Sequence, residues 1–440
     1  MHRSAWDVLV VGGGPAGLAL ALTLRHQSPL TVAVVERSNY DRPQIGETLA
    51  PGAQSLLEYL KVWDAFQADG HRTAYGNSAT WGSATLATRD FLFTPFGTGW
   101  HLDRRRFDIR LTAAAEQAGI PVWRRSRVLR LTHPGNTWHV DIAQDGQLHA
   151  VQASFVVDAT GKNTALTRRF GIARHLQDRQ VAVIATVTTP EAVAAHTLVE
   201  ACEFGWWYTA CLPERQWLVA LMSDIDLVKA HGLNRPEAWW RAAAAMPHTA
   251  QRLAAGTLAP PRVVAAHAAC LAQVVGPGWI AVGDAAGSHD PLSASGIVRA
   301  LDSGIRAARA IHATLVQHHP DGLAEYATYH HASYAQYLAT HARYYQMEQR
   351  WPGASYWRRR QRVITLDPGT LLRRTQTPVI PFLTDFAPLD ATVLLACCSQ
   401  PRPAHQIVAA VRTTIVAGDF EIILGLQWLL QQGALECVAQ

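Results

Sequence analysis

Lysine is nearly missing from this chain of 440 residues: Lys61, Lys162 and Lys229 are the only ones, so its basic residues are almost all arginine. Methionine is as scarce, at four. The six cysteines (Cys202, Cys211, Cys270, Cys397, Cys398 and Cys437) show no C-x-x-C pair and no zinc-ligand spacing. That argues against a metal site and a disulfide framework, and reduced thiols in a cytoplasmic protein are the expectation. No apolar run approaches the roughly 20 residues that cross a bilayer, so no membrane span is expected. The apolar N-terminus is better explained by the glycine turn described next than by a signal peptide. With 49% hydrophobic and 17% charged residues the chain is of ordinary globular composition. It is too long for one core, and two or three domains are expected. The net charge of +5 is modest. Fifteen tryptophans are many; composition favours core filling over an aromatic-lined cavity.

What is present begins at once. The run Trp6-Asp-Val-Leu-Val-Val11 breaks into Gly12-Gly-Gly14-Pro15-Ala16-Gly17 and resumes as Leu18 to Arg25, of helical composition. A second β-branched run, Thr31 to Val35, closes on Glu36. Strand, G-x-G-x-x-G, helix, strand and carboxylate form a dinucleotide-binding unit, with the acid at the expected offset of roughly 20 residues. Gly12 is read as the tight turn, Gly14 as the point of pyrophosphate approach and Gly17 as the close helix–strand contact. Helix N–H groups then face the phosphates. Glu36 is expected to accept both ribose hydroxyls and to repel a 2′-phosphate.

Two later stretches identify the dinucleotide as a flavin one. Trp279 to Val282 is a buried-type strand ending in Gly283-Asp284, followed by Asp290-Pro291-Leu-Ser-Ala-Ser-Gly296-Ile297. A helix then carries Ile297, Leu301, Ile305, Ala308, Ile311 and Leu315 at helical spacing. Asp284 suits a ribityl hydroxyl, and the amides at Gly296 and Ile297 suit the negative charge of reduced flavin at N1–C2=O. Ser154 to Asp158 reads as a return strand opening into the turn at Gly161. His101 to Asp108 leads into a helix with Phe107, Leu111, Ala114 and Ala118 on one face. Arg104 is the candidate to lie over the ribityl-pyrophosphate, against the alternative of an exposed first-turn arginine.

Together these residues resemble the glutathione-reductase-like flavoproteins with one dinucleotide fold, the group of class A aromatic hydroxylases, flavin-dependent halogenases and geranylgeranyl-reductase-like enzymes. The resemblance covers about residues 1–365. It implies an α/β architecture: an FAD-binding Rossmann domain, discontinuous over 1–75, 100–180 and 271–365, with an antiparallel-sheet substrate domain from 76–99 and 181–270. Strands are read at Val181–Thr189, Gly205–Pro213 and Trp217–Leu221. The resemblance also implies that Pro15, Ala16, Arg37, Thr48, Leu49, Val128, Gly161 and Pro291 contribute to FAD binding.

Gly46-Glu47-Thr48-Leu49 with Pro51, and Gly205-Trp-Trp-Tyr208 running to Pro213, resemble the halogenase and geranylgeranyl-reductase branch. Halogenases of this family carry a lysine about thirty residues after that G-E-x motif. Here Arg72 to Trp81 contains none, and Lys61 reads as a surface helix position. Oxygen chemistry remains: the resemblance implies hydroxylation of an aromatic ring through a flavin C4a-hydroperoxide, with dioxygen as co-substrate. No second G-x-G-x-x-G occurs, so the electron donor is NAD(P)H without its own fold or an external reductant. Glu47 and His289 fall in segments that the family places beside the isoalloxazine and are the acid–base candidates. Structural readings, a carboxylate satisfying amides and a loop histidine bonded to backbone, stand beside both.

After about residue 365 the pattern stops. From Arg350 to Arg374 run seven arginines and the single acid Asp367. Then come Thr377 to Pro381, helices read at Leu389–Cys398, His405–Val416 and Phe420–Gln432, a stop at Gly433 and a strand at Ala434–Ala439. The 366–440 segment is expected to form a small, mostly helical domain that resembles a winged helix. Residues 385–440 hold Arg402 and Arg412 against Asp385, Asp390, Asp419, Glu421 and Glu436, which argues against nucleic acid. The arginine run is a solvated face or, as the minority reading, a docking patch. The whole is similar to the flavoproteins that mature tryptophylquinone cofactors, such as the peptidyl-tryptophan hydroxylase of cysteine tryptophylquinone biogenesis in quinohemoprotein amine dehydrogenase. That similarity implies a protein substrate carrying the target tryptophan. A small-molecule monooxygenase or reductase, and a non-catalytic flavin-bearing partner, are the other expectations.

Overall fold

Four consecutive apolar residues, Val8 to Val11, are sealed from solvent at the end of the strand Ala5–Val11, as suits β-branched side chains covered on both faces. The computed structural model describes residues 4–41, 45–91, 97–189, 196–213, 216–253, 256–361, 366–376, 391–415, 419–431 and 433–438. Parts of several expected elements, namely Leu389, Val416, Gln432, Ala439 and the stretch from Thr377 to Pro381, lie outside the described residues, as do Asp385 and Asp390. The chain separates into two compact units, residues 1–327 with 347–357, and residues 328–346 with 358–440.

In the first unit, Ala5–Val11 pairs in parallel with Val32–Val35 and with the last part of Gln147–Asp158. Trp279–Ala281 adds in parallel beyond the latter, and Val122–Trp123 beyond Val32–Val35. Gln147–Asp158 also pairs antiparallel with Trp138–Gln144, which pairs with Ser126–Thr132. The helix Pro15–Gln27 has Pro at its first turn, where a missing N–H costs nothing, and is buried from Ala16 to Leu24. Crossing it is Gly296–Leu315, which buries Ile297, Leu301, Ile305, Ala308 and Ile311 at the spacing expected; Leu315 is half-buried. The crossing is close. A Cβ at Gly304 would lie 2.2 Å from the Ala16 carbonyl oxygen, and one at Gly283 would lie 2.7 Å from the Ala16 Cβ.

The helix Arg104–Gln117 is capped by Asp103, whose carboxylate accepts from Arg106 N at 3.0 Å. Its buried face is Phe107, Asp108, Leu111, Thr112 and Ala115, not the expected Phe107, Leu111, Ala114 and Ala118. Apolar spacing misjudged the face because two polar residues point inward with their needs met. Thr112 Oγ1 donates to Asp108 O at 2.8 Å, and Asp108 pairs with Arg104 at 3.2 Å.

A second eight-stranded sheet runs in the order Thr257–Leu258, Gln180–Thr188, Gln216–Asp224, Gly205–Leu212, His196–Cys202, Gly76–Thr80, Ala87–Asp90, with Arg262–Ala265 also on Gln180–Thr188. Three of its strands were read from sequence within a few residues. One face packs Val183, Trp207, Trp217, Val219 and Leu221 against Trp239 of the helix Pro236–Ala244. Trp239 Nε1 donates to Val183 O at 3.1 Å, which satisfies the indole where it is buried. Strand alternation sends Trp206 and Tyr208 to the other face. Trp206, Trp207, Trp239 and Trp357 are fully buried, so these four fill core. A small sheet, Thr48–Leu49, Gly99–His101 and Arg72–Ala74, sets His101 between Thr48 and Arg72. Lys61 is exposed in the turn after the helix Ala53–Tyr59 at φ +60°, not on a helix.

The second unit holds the helices Ala391–Cys397, Ala404–Thr414 and Asp419–Gln431 around Leu394, Ile407, Val411, Ile422 and Leu426. Gly433, at φ +72°, precedes the strand Leu435–Val438. That strand and Arg402–Pro403 flank Leu371–Arg374 antiparallel, so three helices are joined by a three-stranded sheet. The strands at 371–374 and 402–403 have no signal in the sequence; each is too short and too basic to alternate.

The Ala16 crossing leads to a stability test. Gly304→Ala should destabilise by about 3 kcal/mol through overpacking, whereas Gly353→Ala, with open space at its Cβ, should be near neutral. Urea midpoints at unchanged slope measure both; equal midpoints would show that the two helices are not in tight contact.

Candidate active site

The three motif glycines divide their duties by geometry. Gly12 sits at φ +116°, and a Cβ there would fall 2.1 Å from the Ala159 carbonyl oxygen. A Cβ at Gly17 would fall 2.1 Å from Gly12 O, so this residue permits the helix to approach the strand end. Gly14 differs: nothing lies within 4 Å of its Cβ position, which leaves its backbone open to an approaching phosphate. Glu36 is buried; its Oε2 accepts from Gly13 N at 2.7 Å, while Oε1 accepts from Ser38 N at 2.7 Å and Ser38 Oγ at 2.6 Å. Three of its four lone-pair directions are thus taken, which leaves one for a ribose hydroxyl rather than the two expected. Tyr40 closes the turn, its hydroxyl donating to Gly13 O at 2.9 Å. Arg37 faces Asn163, whose amide oxygen, once the amide is turned, accepts from Arg37 Nη1 at 2.9 Å. Gly161 begins that same turn at φ +66° with open space at its Cβ. The Val128 carbonyl accepts from Arg169 Nη2 at 3.0 Å and is already engaged.

At the other end Gly283, at φ +58°, donates its N–H to Ser303 Oγ at 3.0 Å. The Asp284 carboxylate makes no hydrogen bond among the described residues. Its backbone oxygen accepts from Arg174 Nη2 at 3.1 Å, and that nitrogen also donates to Ser288 Oγ at 2.9 Å. Lys162 donates from Nζ to Ala265 O at 2.9 Å; burial lowers its pKa, while the Asp284 charge acts the other way. Pro291 opens a single helical turn whose carboxylate cap, Asp290, accepts from Leu292 N at 2.8 Å. The second Asp290 oxygen accepts from Gln180 Nε2 at 2.8 Å, and Gln180 Oε1 accepts from the Tyr356 hydroxyl at 2.6 Å. All three residues are buried. Ala294 follows at φ +49°, and nothing lies within 4 Å of a Cβ at Gly296. The first N–H groups of the twenty-residue helix from Gly296 are therefore approachable, with Ile297 buried just behind. Open backbone at Gly14 and Gly296 and an unbonded carboxylate at Asp284 fit FAD.

Glu47 lies between these ends in sequence and beneath the second sheet. It is buried, and desolvation raises its pKa to about 7 against the opposing pull of Arg104. Gly46 N donates to its Oε2 at 3.0 Å. Arg104 is not the exposed first-turn residue of the alternative reading: its guanidinium donates to the carbonyls of Ile45 and Gly46 and pairs with Asp108. It therefore pins the segment that carries Glu47. Thr48 Oγ1 and the Tyr208 hydroxyl share a hydrogen bond of 2.5 Å, and the Glu47 charge raises the Tyr208 pKa further than burial alone. Leu49 is fully buried on the same short strand. His101 is sealed, its Nε2 at 3.0 Å from Thr197 Oγ1, and burial lowers its pKa to about 4. His289 Nε2 lies 3.3 Å from Arg299 Nη1. A guanidinium only donates, so His289 Nε2 accepts there and is spent as a base on that side.

Thus Gly12 to Ala16 and Gly283 to Ile297 meet at Ala16, and Glu47 and Thr48 join Tyr208. Sequence reasoning passed over Tyr208, His101, Gln180 and Tyr356 as site residues. Alternation along Gly205–Leu212 could have flagged Tyr208, which shares a face with Trp206. Gln180 and Tyr356 come together across 176 residues and carry no local signal.

Residues 5–340 match the model of the FAD binding domain family. The chain belongs to that family. It is an FAD-dependent flavoenzyme of the monooxygenase and halogenase type. The FAD-dependent oxidoreductase LodB of Marinomonas mediterranea is 31% identical over 361 residues, covering 81% of this chain and 97% of that protein. The 1H-pyrrole-2-carbonyl-[peptidyl-carrier protein] brominase of Pseudoalteromonas luteoviolacea is 26% identical, covering 70% and 77%. The myxobacterial chondrochloren halogenase CndH shares the fold, with a TM-score of 0.76 at 24% identity over 82% of this chain and 87% of that one. No helix among the described residues is long and apolar enough to cross a membrane.

The glycines and Glu47 each lead to a measurement. Gly14→Val should fold and lose FAD, while Gly17→Val should fail to fold, because only the second side chain meets protein. Thermal melting and bound-flavin absorbance separate the two, and FAD retention by Gly14→Val would remove Gly14 from the phosphate site. Because the folded pKa of Glu47 is raised, its contribution to stability is full below the unfolded carboxylate value and lost as pH rises through about 7. Flavin-free protein should lose on the order of 3 kcal/mol across that window, by the usual conversion of about 1.4 kcal/mol per pKa unit, and Glu47→Gln should flatten the loss. An identical slope in both proteins would contradict the buried position of this carboxyl.

Proposed function

We propose that this flavoenzyme is a monooxygenase that hydroxylates an aromatic ring, a tryptophan side chain of a protein substrate, in the biogenesis of a tryptophylquinone cofactor. The observation that carries the reading is the Glu47 carboxyl, buried, poised near neutrality and set beside the Thr48–Tyr208 pair. Two facts accompany it. The strands Arg72–Ala74 and Gly76–Thr80 occupy the stretch where halogenases of this family carry their lysine, and neither contains one. A relative acts, by its name, on an aromatic ring held on a carrier protein, so an aromatic substrate borne by a protein has a parallel among the relatives. The similarity to tryptophylquinone-maturing flavoproteins rests on Gly205 to Pro213, Asp290 to Gly296 and the small C-terminal unit.

In this reading Gly12, Gly14, Pro15, Ala16, Gly17, Glu36 and Arg37 hold the adenosine and pyrophosphate, and Gly283, Asp284, Pro291, Gly296 and Ile297 hold the flavin end. Arg104 fixes the Gly46–Glu47 turn. Bound FAD, reduced by NAD(P)H or by an external reductant, would supply activated dioxygen. Glu47 does the rest of the chemistry assigned to this chain. Its Oε2 is anchored by Gly46 N–H, so Oε1 is the atom that faces a proton exchange. As a carboxylate it stabilises positive charge on the attacked ring and then removes the ring proton. The Tyr208 hydroxyl, held neutral by burial, orients the ring through its bond with Thr48. A small aromatic substrate is the second reading, favoured by the same buried geometry.

The test combines reduced flavin, dioxygen and a candidate protein substrate, with intact mass read for one-oxygen gains. Turnover should rise with pH through about 7, where Glu47 ionises. Glu47→Gln should keep stoichiometric FAD, lose about 10²-fold in rate and lose that pH step. His289→Ala should slow turnover less. Full turnover with bound flavin in Glu47→Gln would refute the role, and oxygen gain on free aromatic compounds alone would favour the second reading.

A further inference from the structure

Asp290 is the last buried residue before the long helix at Gly296 begins; Pro291 to Gly296 are all half-buried or exposed. Apolar packing therefore does little to hold this stretch, and it depends on hydrogen bonds. Several are local. Leu292 N donates to Asp290 Oδ1 at 2.8 Å, Ala294 N to Pro291 O at 2.9 Å, and Arg299 Nε to Ser295 Oγ at 2.9 Å. A tie to a distant part of the chain is made at the other Asp290 oxygen, where Gln180 Nε2 donates at 2.8 Å. This relay has a fixed direction. A carboxylate only accepts, so Asp290 draws the amide nitrogen of Gln180 toward itself and leaves Oε1 facing the other way. That oxygen accepts from the buried Tyr356 hydroxyl at 2.6 Å. Phenylalanine at position 356 would take that donor away, and turning the amide would set its oxygen against the carboxylate.

Tyr356 is itself held firmly. Trp357, whose Nε1 donates to Cys202 O at 2.8 Å, packs edge-on against it with ring centres 5.2 Å apart. Upstream, Glu348 Oε2 accepts from Gly82 N at 2.8 Å, and Arg350 Nη2 donates to Thr80 O at 2.9 Å. The segment Met347–Trp357 is thus fastened to the second sheet at the ends of the strands Gly76–Thr80 and His196–Cys202. Gln180 begins another strand of that sheet, Gln180–Thr188. Both partners that reach toward Asp290 are therefore set by the sheet.

We propose that Tyr356 is a positioning residue of the flavin site. Acting through Gln180 and Asp290, it holds the start of the helix Gly296–Leu315 where its first N–H groups meet the flavin. The inference deepens the reading in which Gly296 and Ile297 hold the flavin end, and rests on it. Those N–H groups and the positive end of the helix dipole favour negative charge. They bind reduced flavin, anionic at N1–C2=O, better than the neutral oxidised form. A slackened turn moves them away, and the loss falls chiefly on the reduced form.

The experiment measures the midpoint potential of bound FAD by reductive titration against a reference dye, with the FAD dissociation constant alongside. In Tyr356→Phe the preference for reduced over oxidised FAD should fall about fivefold, a drop of about 20 mV for a two-electron couple. A hydroxyl that served stability alone would lower the melting temperature and leave the potential in place. Gln180→Met should reproduce the drop, and adding Tyr356→Phe to it should cause no further one, because the two residues act in series. An unchanged potential in Tyr356→Phe overturns the proposal, and that arm stands even if Gln180→Met does not fold. A second full drop in the double variant overturns it equally, since Tyr356 would then act by another route. Gly296→Val, with open space at its Cβ, checks the assignment beneath: it should weaken FAD or shift the potential. If it does neither, the flavin end is wrongly assigned and this inference falls with it. If it does while Tyr356→Phe has no effect, this inference fails alone. Oxygen transfer to tryptophan is a separate readout, and its absence would sink the proposed function while the relay stands.

Discussion

Ala16 is the point on which the packing around the nucleotide motif depends. Its carbonyl oxygen and Cβ fill the space that Gly304 and Gly283 leave empty, so the nucleotide helix, the long helix from Gly296 and the Gly283–Ala285 turn converge on one residue. Backbone-to-backbone packing of this kind is stiff, because no side chain stands between to adjust. It fixes the spacing between two helix N-termini, and a cofactor of given length needs a fixed spacing more than it needs any single hydrogen bond. Gly12 and Gly17 extend the same contact to Ala159 at the end of the return strand.

How much of this could be read in advance follows from how local each signal is. The strand–glycine–helix–strand–acid unit and the Gly283 to Ile297 segment are written in consecutive residues, and the structure keeps their bounds within three residues. The helix from Arg104 shows where periodicity misleads. Asp108 and Thr112 are inward because each finds a partner, and apolar spacing does not register satisfied polar residues. Glu36 is a milder case. Its position was legible, but Ser38 two residues on takes up one oxygen, and only coordinates reveal how an acid distributes its lone pairs. Glu200 caps the helix at His248 and Thr249, some fifty residues on, with nothing in either neighbourhood to announce it.

The roof sheet treats its two faces differently. One carries Trp207 and Trp217 into a cluster closed by Trp239, dry and close-packed. The other carries Trp206 and Tyr208, with the Tyr208 hydroxyl bound to Thr48 from another sheet. A sheet anchored by packing on one side can present polar groups on the other without moving, which is what a site for reactive oxygen requires. The shift in Glu47 has the same origin. Burial, not a special partner, lifts its carboxyl toward neutrality, and Arg104 holds the shift in check.

The chain of hydrogen bonds from Tyr356 through Gln180 to Asp290 has a bearing on how such proteins can be trimmed or fused. Tyr356 comes from a stretch that returns to the first unit after the helix Gly322–Gln346 has left it. The turn that opens at Pro291 therefore borrows its rigidity from a residue far downstream in the chain. A shortened variant ending soon after Gln346 would retain every nucleotide motif and still leave the turn at Asp290 slackened.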